Sequence, residues 1–223
     1  MKAMILAAGR GERLRPLTDS IPKPLLEVAG QTLLGRHLEH LAAAGFTRVV
    51  INVSHLAQMI VARFGDGRRL GMTIEWSHEE TPLETAGGIA QARELLGPDP
   101  FLLVNADIWC DYAFSGLRGL DLGRRLSHLV LVPNPPQHPA GDFSLENNIV
   151  GNAASPRYTY TGIAVISPQL VAGVAAGGKA PLAPLWRRAA ERGEVTGELY
   201  AGHWNDAGTP ERLAALEARL KKT

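Results

Sequence analysis

The sequence lacks several features on which common classes of protein depend. Cys110 is the only cysteine among 223 residues, which excludes an intrachain disulfide and a zinc site built on cysteines. No apolar run approaches the roughly 20 residues that a membrane helix needs, and the first residues lack the pattern of a signal peptide. We therefore expect a cytoplasmic protein that does not associate with membranes.

An excess of charge of one sign is also absent. The chain has 23 Lys and Arg residues against 22 Asp and Glu residues, so its formal net charge is +1, and we expect no binding of nucleic acid. A hydrophobic content of 45% and a charged content of 20% are ordinary for a globular protein, which argues against disorder. The length fits one large α/β domain, or one domain with a small appendage, and we expect a single domain over residues 1–223.

Apolar runs alternate with segments of helical spacing through the first half of the chain. This alternation predicts β-α-β units and a parallel sheet covered on both faces. The predicted strands are Ala3–Leu6, Arg48–Val53, Met72–Trp76 and Phe101–Val104, and the predicted helices are Leu33–Ala44, Ala57–Phe64 and Thr85–Leu96.

The second half of the chain is less regular. Its predicted elements are strands at Leu126–Val132 and Arg157–Ile166, a hairpin within Asp142–Gly151, and helices at Pro184–Arg192 and Pro210–Lys222. Proline and glycine between residues 133 and 156 indicate an insertion over the rim of the sheet rather than a linker between domains.

The most informative segment is the loop over residues 6–24, which follows the first predicted strand. Gly9 and Gly11 let backbone N–H groups approach an anion closely. Lys23 lies between two prolines that stiffen the chain on both sides of it. The loop also contains Arg10, Arg13 and Arg15, whose fork-shaped guanidinium groups are suited to donating hydrogen bonds to phosphate oxygens. The combination predicts a polyphosphate site, and the alternative is a turn that uses glycine only for tightness.

This loop differs from the two commonest phosphate-binding motifs. The dinucleotide fingerprint requires a third glycine where this sequence has Leu14. The Walker motif requires Gly-Lys-Ser/Thr, which does not occur in the sequence. A dinucleotide-dependent reductase is therefore disfavoured.

Polar residues follow the predicted strand Phe101–Val104. Asn105 and Asp107 are spaced i, i+2, so their side chains share one face if the strand continues. A carboxylate beside a triphosphate is a natural Mg²⁺ ligand, although Asn and Asp also end strands as simple turns. Asp206, just before the predicted last helix, is the expected second carboxylate, and the neutral Asn205 is its rival.

Two pairs of residues each allow two interpretations. Gly87 and Gly88 cost a helix roughly 0.8–1.0 kcal/mol each relative to alanine, which is tolerated where a nucleobase approaches the backbone or where the helix packs closely on the sheet. His37 and His40 could bind a metal, but two exposed surface histidines are the preferred interpretation. No general base is evident, and an acceptor that is a phosphate monoester would need none.

Together these motifs resemble those of the sugar-1-phosphate nucleotidylyltransferases. Residues 6–18 match the family's Leu-x-Ala-Gly-x-Gly-x-Arg-Leu-x-Pro-Leu-Thr motif, and Pro-Lys-Pro follows at residues 22–24. Further matches are Pro-Leu-x-Thr-Ala-Gly at 82–87, Asn-x-Asp at 105–107, Tyr-Thr-Gly at 160–162 and Trp-x-Asp-x-Gly-Thr at 204–209. The resemblance implies a Rossmann-like, mostly parallel mixed sheet flanked by helices. It also implies attack of a sugar 1-phosphate on the α-phosphate of a nucleoside triphosphate, with release of pyrophosphate.

The resemblance implies roles for individual residues as well. Arg13 would hold the leaving pyrophosphate, Lys23 would contact the α-phosphate, and Asp107 and Asp206 would bind Mg²⁺. The implied nucleotide site consists of Ala8, Gly9, Gly11, Glu12, Arg13, Lys23, Glu79, Glu80, Thr85, Ala86 and Gly87. The implied sugar-phosphate site consists of Asn105, Gly141, Asp142, Glu146 and Thr161, in part within a sugar-binding β insertion at residues 133–160.

The choice of base stays open between uracil and guanine. Glu79 falls where pyrimidine-specific members often carry glutamine, and an acidic residue there would suit guanine. Glu84 stands where many members have glycine. The Leu-Glu-Thr-Ala-Gly-Gly run at 83–88 and the Trp-Asn-Asp-Ala-Gly-Thr-Pro-Glu-Arg run at 204–212 are most similar to those of short bacterial uridylyltransferases of cell-wall recycling. This implies UTP and N-acetylmuramate α-1-phosphate as small-molecule substrates. The alternative is GTP with mannose 1-phosphate, or the substrates of another sugar-1-phosphate nucleotidylyltransferase.

Overall fold

A computed structural model describes residues 1–221. Its strands are β1 (Ala3–Leu6), β2 (Glu27–Val28), β3 (Gln31–Thr32), β4 (Arg48–Val53), β5 (Thr73–His78), β6 (Phe101–Asn105), β7 (Ile108–Cys110), β8 (Ser127–Val132), β9 (Phe143–Glu146), β10 (Ile149–Gly151), β11 (Arg157–Ile166), β12 (Val195–Leu199) and β13 (Trp204–Asp206). Its α-helices are α1 (Leu17–Ser20), α2 (Leu33–Ala43), α3 (Ala57–Phe64), α4 (Glu84–Gln91), α5 (Arg93–Leu96), α6 (Ala183–Glu191) and α7 (Pro210–Leu220).

Nine strands form one mixed sheet in the order β5-β4-β1-β6-β11-β8-β12-β10-β9. The first four are parallel, with Ala3 of β1 opposite Val49 of β4 and Leu102 of β6. β11 then runs antiparallel to both β6 and β8, and β12 is parallel to β8. The mixed α/β sheet expected from the sequence is confirmed.

The inner parallel strands β1, β4 and β6 are buried on both faces, which explains why they read as continuous apolar runs rather than as alternating patterns. The edge strand β5 is only partly buried. On one face, Ile5 belongs to a core that includes Leu38 of α2 and residues of α3. On the other face, Met4 belongs to a core that includes Ile89 of α4 and residues of α6. Helices therefore cover both sides of the sheet.

The carboxyl ends of the parallel strands bring the segments of interest together. The loop over residues 7–24 follows β1, Glu79 follows β5, and Asn105 is the last residue of β6. Neighbouring parallel strands end at the same edge of a sheet, and open α/β sheets bind ligands outside that edge. The fold therefore places these three segments around one region.

The predicted hairpin within Asp142–Gly151 is present and continues the main sheet. β10 pairs with β12, and β9 pairs with β10 on one side and with the start of β11 on the other. This half of the sheet therefore closes on itself, because β9 returns to a strand that also pairs with β8.

Several element boundaries differ from the sequence prediction. The helix predicted over Thr85–Leu96 is two helices, α4 and α5, which meet at Ala92. β5 begins at Thr73 rather than Met72 and extends to His78. The last helix ends at Leu220, and its predicted end at Lys222 lies outside the described residues. Within residues 1–221, no helix is both long and apolar enough to cross a membrane.

A two-residue turn connects β9 and β10. Asn147 and Asn148 have φ values of 48° and 62°, and Glu146 pairs with Ile149 across the turn. Two left-handed residues in a two-residue hairpin define a type I′ turn, which asparagine and glycine accept best. The Asn148 carbonyl also accepts a hydrogen bond from the Gly197 N–H at 3.0 Å, which ties the turn to β12.

The turn gives a prediction about stability. We expect Asn148→Ala to lower the free energy of unfolding by about 1 kcal/mol, because an alanine Cβ is strained at a left-handed φ. Asn148→Gly should preserve or raise it, since glycine has no Cβ. Urea denaturation of both variants beside the parent measures the difference, and equal values for the two variants would contradict a type I′ turn.

The prediction that His37 and His40 are both exposed is wrong for His37. α2 turns His37 toward the core, on the same face as the buried Leu34 and Leu41, and it is 4% exposed. Its imidazole bonds to the backbone of Ile108, while Nε2 is buried and finds no partner among residues 1–221. Burial lowers the pKa of His37 to about 4, because desolvation penalises the charged imidazole.

Folding stability should therefore depend on pH through His37. The unfolded chain takes up this proton near pH 6.5, and the folded protein only near the lowered pKa of about 4. Between these values the unfolded state binds more protons, so His37 lowers the free energy of unfolding as the pH falls, by up to about 3 kcal/mol. Urea denaturation from pH 7 to pH 4 should show a shallower decline for His37→Leu than for the parent. Parallel curves would refute this.

Candidate active site

The loop after β1 folds around Gly11 and brings Lys23 against it. Gly11 has a left-handed φ of 67°, and a Cβ there would lie 2.9 Å from the Thr18 methyl carbon and 3.1 Å from Lys23 Cβ. The Thr18 hydroxyl donates a hydrogen bond to the Gly11 carbonyl at 2.9 Å. Glycine is therefore required here by the backbone and by the close approach of Lys23.

Gly9 differs from Gly11 in what surrounds it. Its φ lies outside the left-handed region, and a Cβ there would meet no atom of the described residues within 4 Å, its chain neighbours aside. Nothing in the protein's own packing therefore demands glycine at position 9. The space in front of the Gly9 backbone is part of a cavity that the loop lines.

The three arginines of the loop do not share one environment. Arg13 lines the cavity. Arg15 pairs instead with Asp19 at 3.1 Å on the exposed side of the loop, and Arg10 is exposed and outside the lining. The sequence pattern alone treats the three as equivalent, and the fold selects Arg13.

Lys23 reaches across the loop to Asp107. Its side chain is 10% exposed, and Nζ lies 2.6 Å from Asp107 Oδ2. β6 ends at Asn105, so a turn rather than a continued strand places Asp107. The Asp107 carbonyl accepts a hydrogen bond from the Ala207 N–H at 2.7 Å, which fixes the turn against the end of β13. Lys23 and Asp107 thereby join the loop to the end of β6.

A cavity of about 440 Å³ lies in front of the loop, within the size range of ligand sites. Of the predicted nucleotide-site residues, it is lined by Ala8, Gly9, Gly11, Glu12, Arg13, Lys23, Glu79 and Thr85. Three others lie outside the lining. Glu80 is exposed, and the N–H groups of Ala86 and Gly87 both donate to the Ala180 carbonyl, at 2.9 and 3.1 Å.

The paired glycines of α4 contact other parts of the protein. A Cβ at Gly87 would collide with the Gly178 carbonyl oxygen. A Cβ at Gly88 would lie 2.7 Å from Glu79 Oε1 and 2.8 Å from Asn52 Nδ2. Of the two interpretations left open by the sequence, close packing is the one that these contacts favour.

Asn52, which the sequence analysis missed, connects the loop to the far side of the cavity. Its Oδ1 accepts the Ala7 N–H at 2.8 Å, and its Nδ2 donates to Glu79 Oε1 at 2.7 Å. Glu79 Oε2 in turn accepts the Leu83 N–H at 2.9 Å. Asn52 is 3% exposed, and the available signal was a polar residue within the apolar strand β4.

Glu79 therefore uses both of its carboxylate oxygens within the protein. The residue is 6% exposed and lines the cavity. Buried charged groups need such partners, because an unpaired buried carboxylate is costly. Each oxygen already accepts one hydrogen bond from the chain, so Glu79 has fewer acceptor sites left for guanine than a free carboxylate has.

Glu84 begins α4 with a left-handed φ of 61°. It lines the cavity, and its carboxylate lies 3.6 Å from Lys179 Nζ. A left-handed φ favours glycine, which explains why glycine suits this position in the family that the sequence resembles. Glu84 keeps a charged side chain at the cavity despite the backbone strain.

A second cavity of about 320 Å³ adjoins the first, because Arg13, Asn105 and Asp107 line both. Of the predicted sugar-phosphate residues, Asn105 and Thr161 line it. The lining residues that the sequence analysis did not predict for this site include Gln137, His138, Tyr160, Trp204 and Arg212.

The other predicted sugar-phosphate residues lie outside that lining. Asp142 Oδ2 accepts the Tyr160 N–H at 2.8 Å, and Oδ1 lies 3.1 Å from His138 Nε2, so Asp142 supports two residues of the wall. Gly141, with a φ of 62°, packs where a Cβ would lie 2.7 Å from Asn134 Oδ1. Glu146 is exposed at the end of β9.

Asp206 and Asn205 face opposite ways, because successive side chains of a strand alternate. Asp206 and Trp204 line the second cavity, and Asn205 does not. Asp206 pairs in register with Ile108, the residue after Asp107. Of the two rivals for the second metal ligand, the geometry favours Asp206.

Comparison with known proteins identifies the family. Residues 2–119 match the family model described as nucleotidyl transferase. The chain belongs to this family. This nucleotidyl transferase is 46% identical over 228 residues to the N-acetylmuramate alpha-1-phosphate uridylyltransferase of Neisseria meningitidis, with 98% of this chain and 97% of that one covered. The protein of the same name from Caulobacter vibrioides is 34% identical over 234 residues, with coverages of 98% and 96%.

Similarity to guanylyltransferases covers a smaller part of this nucleotidyl transferase. Mannose-1-phosphate guanyltransferase beta-B of Xenopus laevis is 44% identical over 120 residues, which cover 52% of this chain and 33% of that one. Among solved structures, a candidate glucose-1-phosphate thymidylyltransferase from Bacillus anthracis superposes with a TM-score of 0.88 at 19% identity, covering 100% of this chain and 96% of that one. That likeness confirms the fold.

The two glycines of the loop provide a matched pair of variants. Gly11→Ala should lower the free energy of unfolding by about 1 kcal/mol or more, because the new Cβ is strained and meets Lys23. Gly9→Ala should leave it within about 0.5 kcal/mol of the parent while weakening nucleotide binding, since the methyl group enters the cavity. Urea denaturation and calorimetric titration with nucleoside triphosphates separate the two effects. Unchanged nucleotide affinity in Gly9→Ala would contradict the expectation that this cavity binds the nucleotide.

Proposed function

We propose that this nucleotidyl transferase joins UTP and N-acetylmuramate α-1-phosphate to form UDP-N-acetylmuramate and pyrophosphate. The observation that carries the proposal is that Arg13, Asn105 and Asp107 line both cavities, where the phosphates of two bound substrates would meet. Two relatives that align over nearly the whole chain bear the name of this activity.

The reaction moves a uridylyl group from one phosphate to another. A non-bridging oxygen of the sugar phosphate attacks the α-phosphorus of UTP and forms a new phosphorus–oxygen bond. The bond from the α-phosphorus to the oxygen that bridges to the β-phosphorus breaks, and its electron pair leaves with pyrophosphate. The acceptor is already anionic near neutral pH, so the protein's task is positioning and charge neutralisation.

The loop supplies most of the proposed phosphate contacts. Backbone N–H groups at Gly9 and Gly11 bind the triphosphate, Arg13 binds the pyrophosphate as it leaves, and Lys23 binds the α-phosphate. Asn105 serves the acceptor side, because it lines the second cavity as well as the first. Lys23 is largely buried, so its charge acts where water screens it less.

Asp107 and Asp206 are proposed to hold a divalent cation, with Mg²⁺ as the expected ion. Both carboxylates line the second cavity, and oxygen ligands of this kind suit a hard cation. No group of three or more His, Cys, Asp or Glu residues suited to a metal occurs within residues 1–221. Two carboxylates fit an ion that takes its remaining ligands from phosphates and water. When bound, it would neutralise charge on the reacting phosphates.

Uracil is the proposed base and guanine the alternative. The hydrogen bonds that occupy both oxygens of Glu79 weaken the case for guanine, whereas the partial similarity to a guanyltransferase keeps GTP with mannose 1-phosphate as the second candidate. A role in peptidoglycan recycling, in the cytoplasm, follows from the proposed product and stays a prediction.

Pyrophosphate release tests the substrates directly. The purified protein is supplied with Mg²⁺ and with UTP, GTP or dTTP, each paired with N-acetylmuramate α-1-phosphate, N-acetylglucosamine 1-phosphate or mannose 1-phosphate. We expect the highest kcat/KM for UTP with N-acetylmuramate α-1-phosphate. A preference for GTP with mannose 1-phosphate would overturn the substrate assignment and leave the reaction class intact.

Removal of one carboxylate tests the site. Asp107→Asn should lower kcat by about 10²–10³, because the variant loses the negative charge that would hold the metal and that pairs with Lys23. Asp99→Asn, a matched change at an exposed residue outside both cavities, should keep the parent's kcat. Circular dichroism checks that both variants fold, and a folded Asp107→Asn with the parent's kcat would refute the assignment.

A further inference from the structure

Asp206 already binds a cation of the chain through both of its oxygens. Arg212 Nη1 lies 2.8 Å from Oδ1 and 2.6 Å from Oδ2, and the two side chains are 19% and 23% exposed. Charge-assisted hydrogen bonds of this kind are stronger than neutral ones. A divalent cation on Asp206 would draw on the same lone pairs and the same negative charge. Arg212 and the proposed ion therefore compete for one carboxylate.

Arg212 lies close to Arg13, and together the two side chains could bind a phosphate. It lies in the first turn of α7, where Thr209 Oγ1 accepts its backbone N–H at 3.4 Å. A Cβ at Gly208 would lie 2.7 Å from Arg212 Nη2 and 3.1 Å from Arg13 Nη2. Two guanidinium groups therefore converge on one glycine beside the junction of the two cavities. Such a pair of cations is suited to phosphate oxygens.

We propose that Arg212 is a displaceable counter-ion of Asp206. It neutralises Asp206 before substrates bind, and it binds the phosphate of the sugar 1-phosphate once a divalent cation takes the carboxylate. The inference rests on the proposed function. Arg212 lines the second cavity and not the first, so the acceptor phosphate is its ligand and the nucleotide is not.

The Lys23–Asp107 pair supports this interpretation. Each of the two proposed metal ligands is matched with one cation of the chain, at 2.6 Å in both cases. Two carboxylates close to one another repel unless cations compensate them. In this scheme both cations pass from carboxylates to phosphates when the ion and the substrates bind.

A purely structural role for Arg212 makes a different prediction. If Arg212 only fixed Asp206 or the start of α7, its removal would weaken metal binding and substrate binding together. If Arg212 competes with the ion, its removal tightens metal binding and weakens only acceptor binding. The two roles therefore predict opposite changes in metal affinity when Arg212 is removed.

The experiment uses Arg212→Gln, with Arg192→Gln as the matched control, because Arg192 forms an exposed ion pair with Glu194 away from both cavities. Calorimetric titration of the substrate-free protein with Mn²⁺, a probe for the Mg²⁺ site, should show binding about three- to tenfold tighter in Arg212→Gln. The KM for N-acetylmuramate α-1-phosphate should rise about tenfold or more, and the KM for UTP should stay close to that of the parent. Arg192→Gln should match the parent in all three.

Weaker or unchanged Mn²⁺ binding in Arg212→Gln would overturn the proposal, as would an equal rise in both KM values. Arg212→Lys is the second variant, for use if the glutamine variant does not fold. A lysine keeps the charge but replaces the weakly hydrated guanidinium with a strongly hydrated ammonium on a flexible stem. The variant should therefore hold Asp206 less firmly, bind Mn²⁺ more tightly than the parent and partly restore the acceptor KM. The Mn²⁺ titration needs no substrate, so it tests Arg212 even if the proposed substrates prove wrong.

Discussion

The ion pair between Lys23 and Asp107 is the interaction on which the rest of the site depends. Lys23 comes from the loop after β1, and Asp107 from the turn after β6. The two strands are parallel neighbours, so their carboxyl ends already lie side by side. The ion pair converts that proximity into a fixed arrangement of two opposite charges at the junction of the cavities. Gly11 makes it possible, because any Cβ there would press on Lys23.

Local charge matters more here than net charge. A protein of formal net charge +1 is not attracted to polyanions as a whole. Within the site, however, each proposed metal ligand carries its own cation: Asp107 pairs with Lys23, and Asp206 pairs with Arg212. The paired charges partly neutralise one another before any ligand binds. Substrates that bring phosphates and a divalent cation can exchange partners with these pairs without leaving a partly buried charge uncompensated.

A buried chain of hydrogen bonds connects opposite sides of the first cavity. Asn52 holds the loop at Ala7 and also holds Glu79, and Glu79 holds the Leu83 N–H just before α4. The loop over residues 7–24 and the segment just before α4 are far apart in sequence, yet one side-chain amide and one carboxylate connect them. Fully satisfied buried polar networks of this kind specify a single arrangement, which is what in-line attack between two substrates requires.

The sequence alone determined the features that depend on local pattern. Apolar runs located the strands, and β4, β11 and α3 have the predicted bounds. Burial on a sheet or against a helix face requires apolar residues at a spacing that can be read from the sequence. The glycines, arginine and lysine of residues 6–24 indicated phosphate, since that chemistry is carried by residue type and spacing. Only the tertiary structure decided which of these residues line the cavity. It selected Arg13 over Arg15, buried His37, occupied both oxygens of Glu79 and matched Asp206 with Arg212. Each of these outcomes depends on contacts that form only when the chain folds or turns back on itself. A local sequence pattern does not show which residues make such contacts.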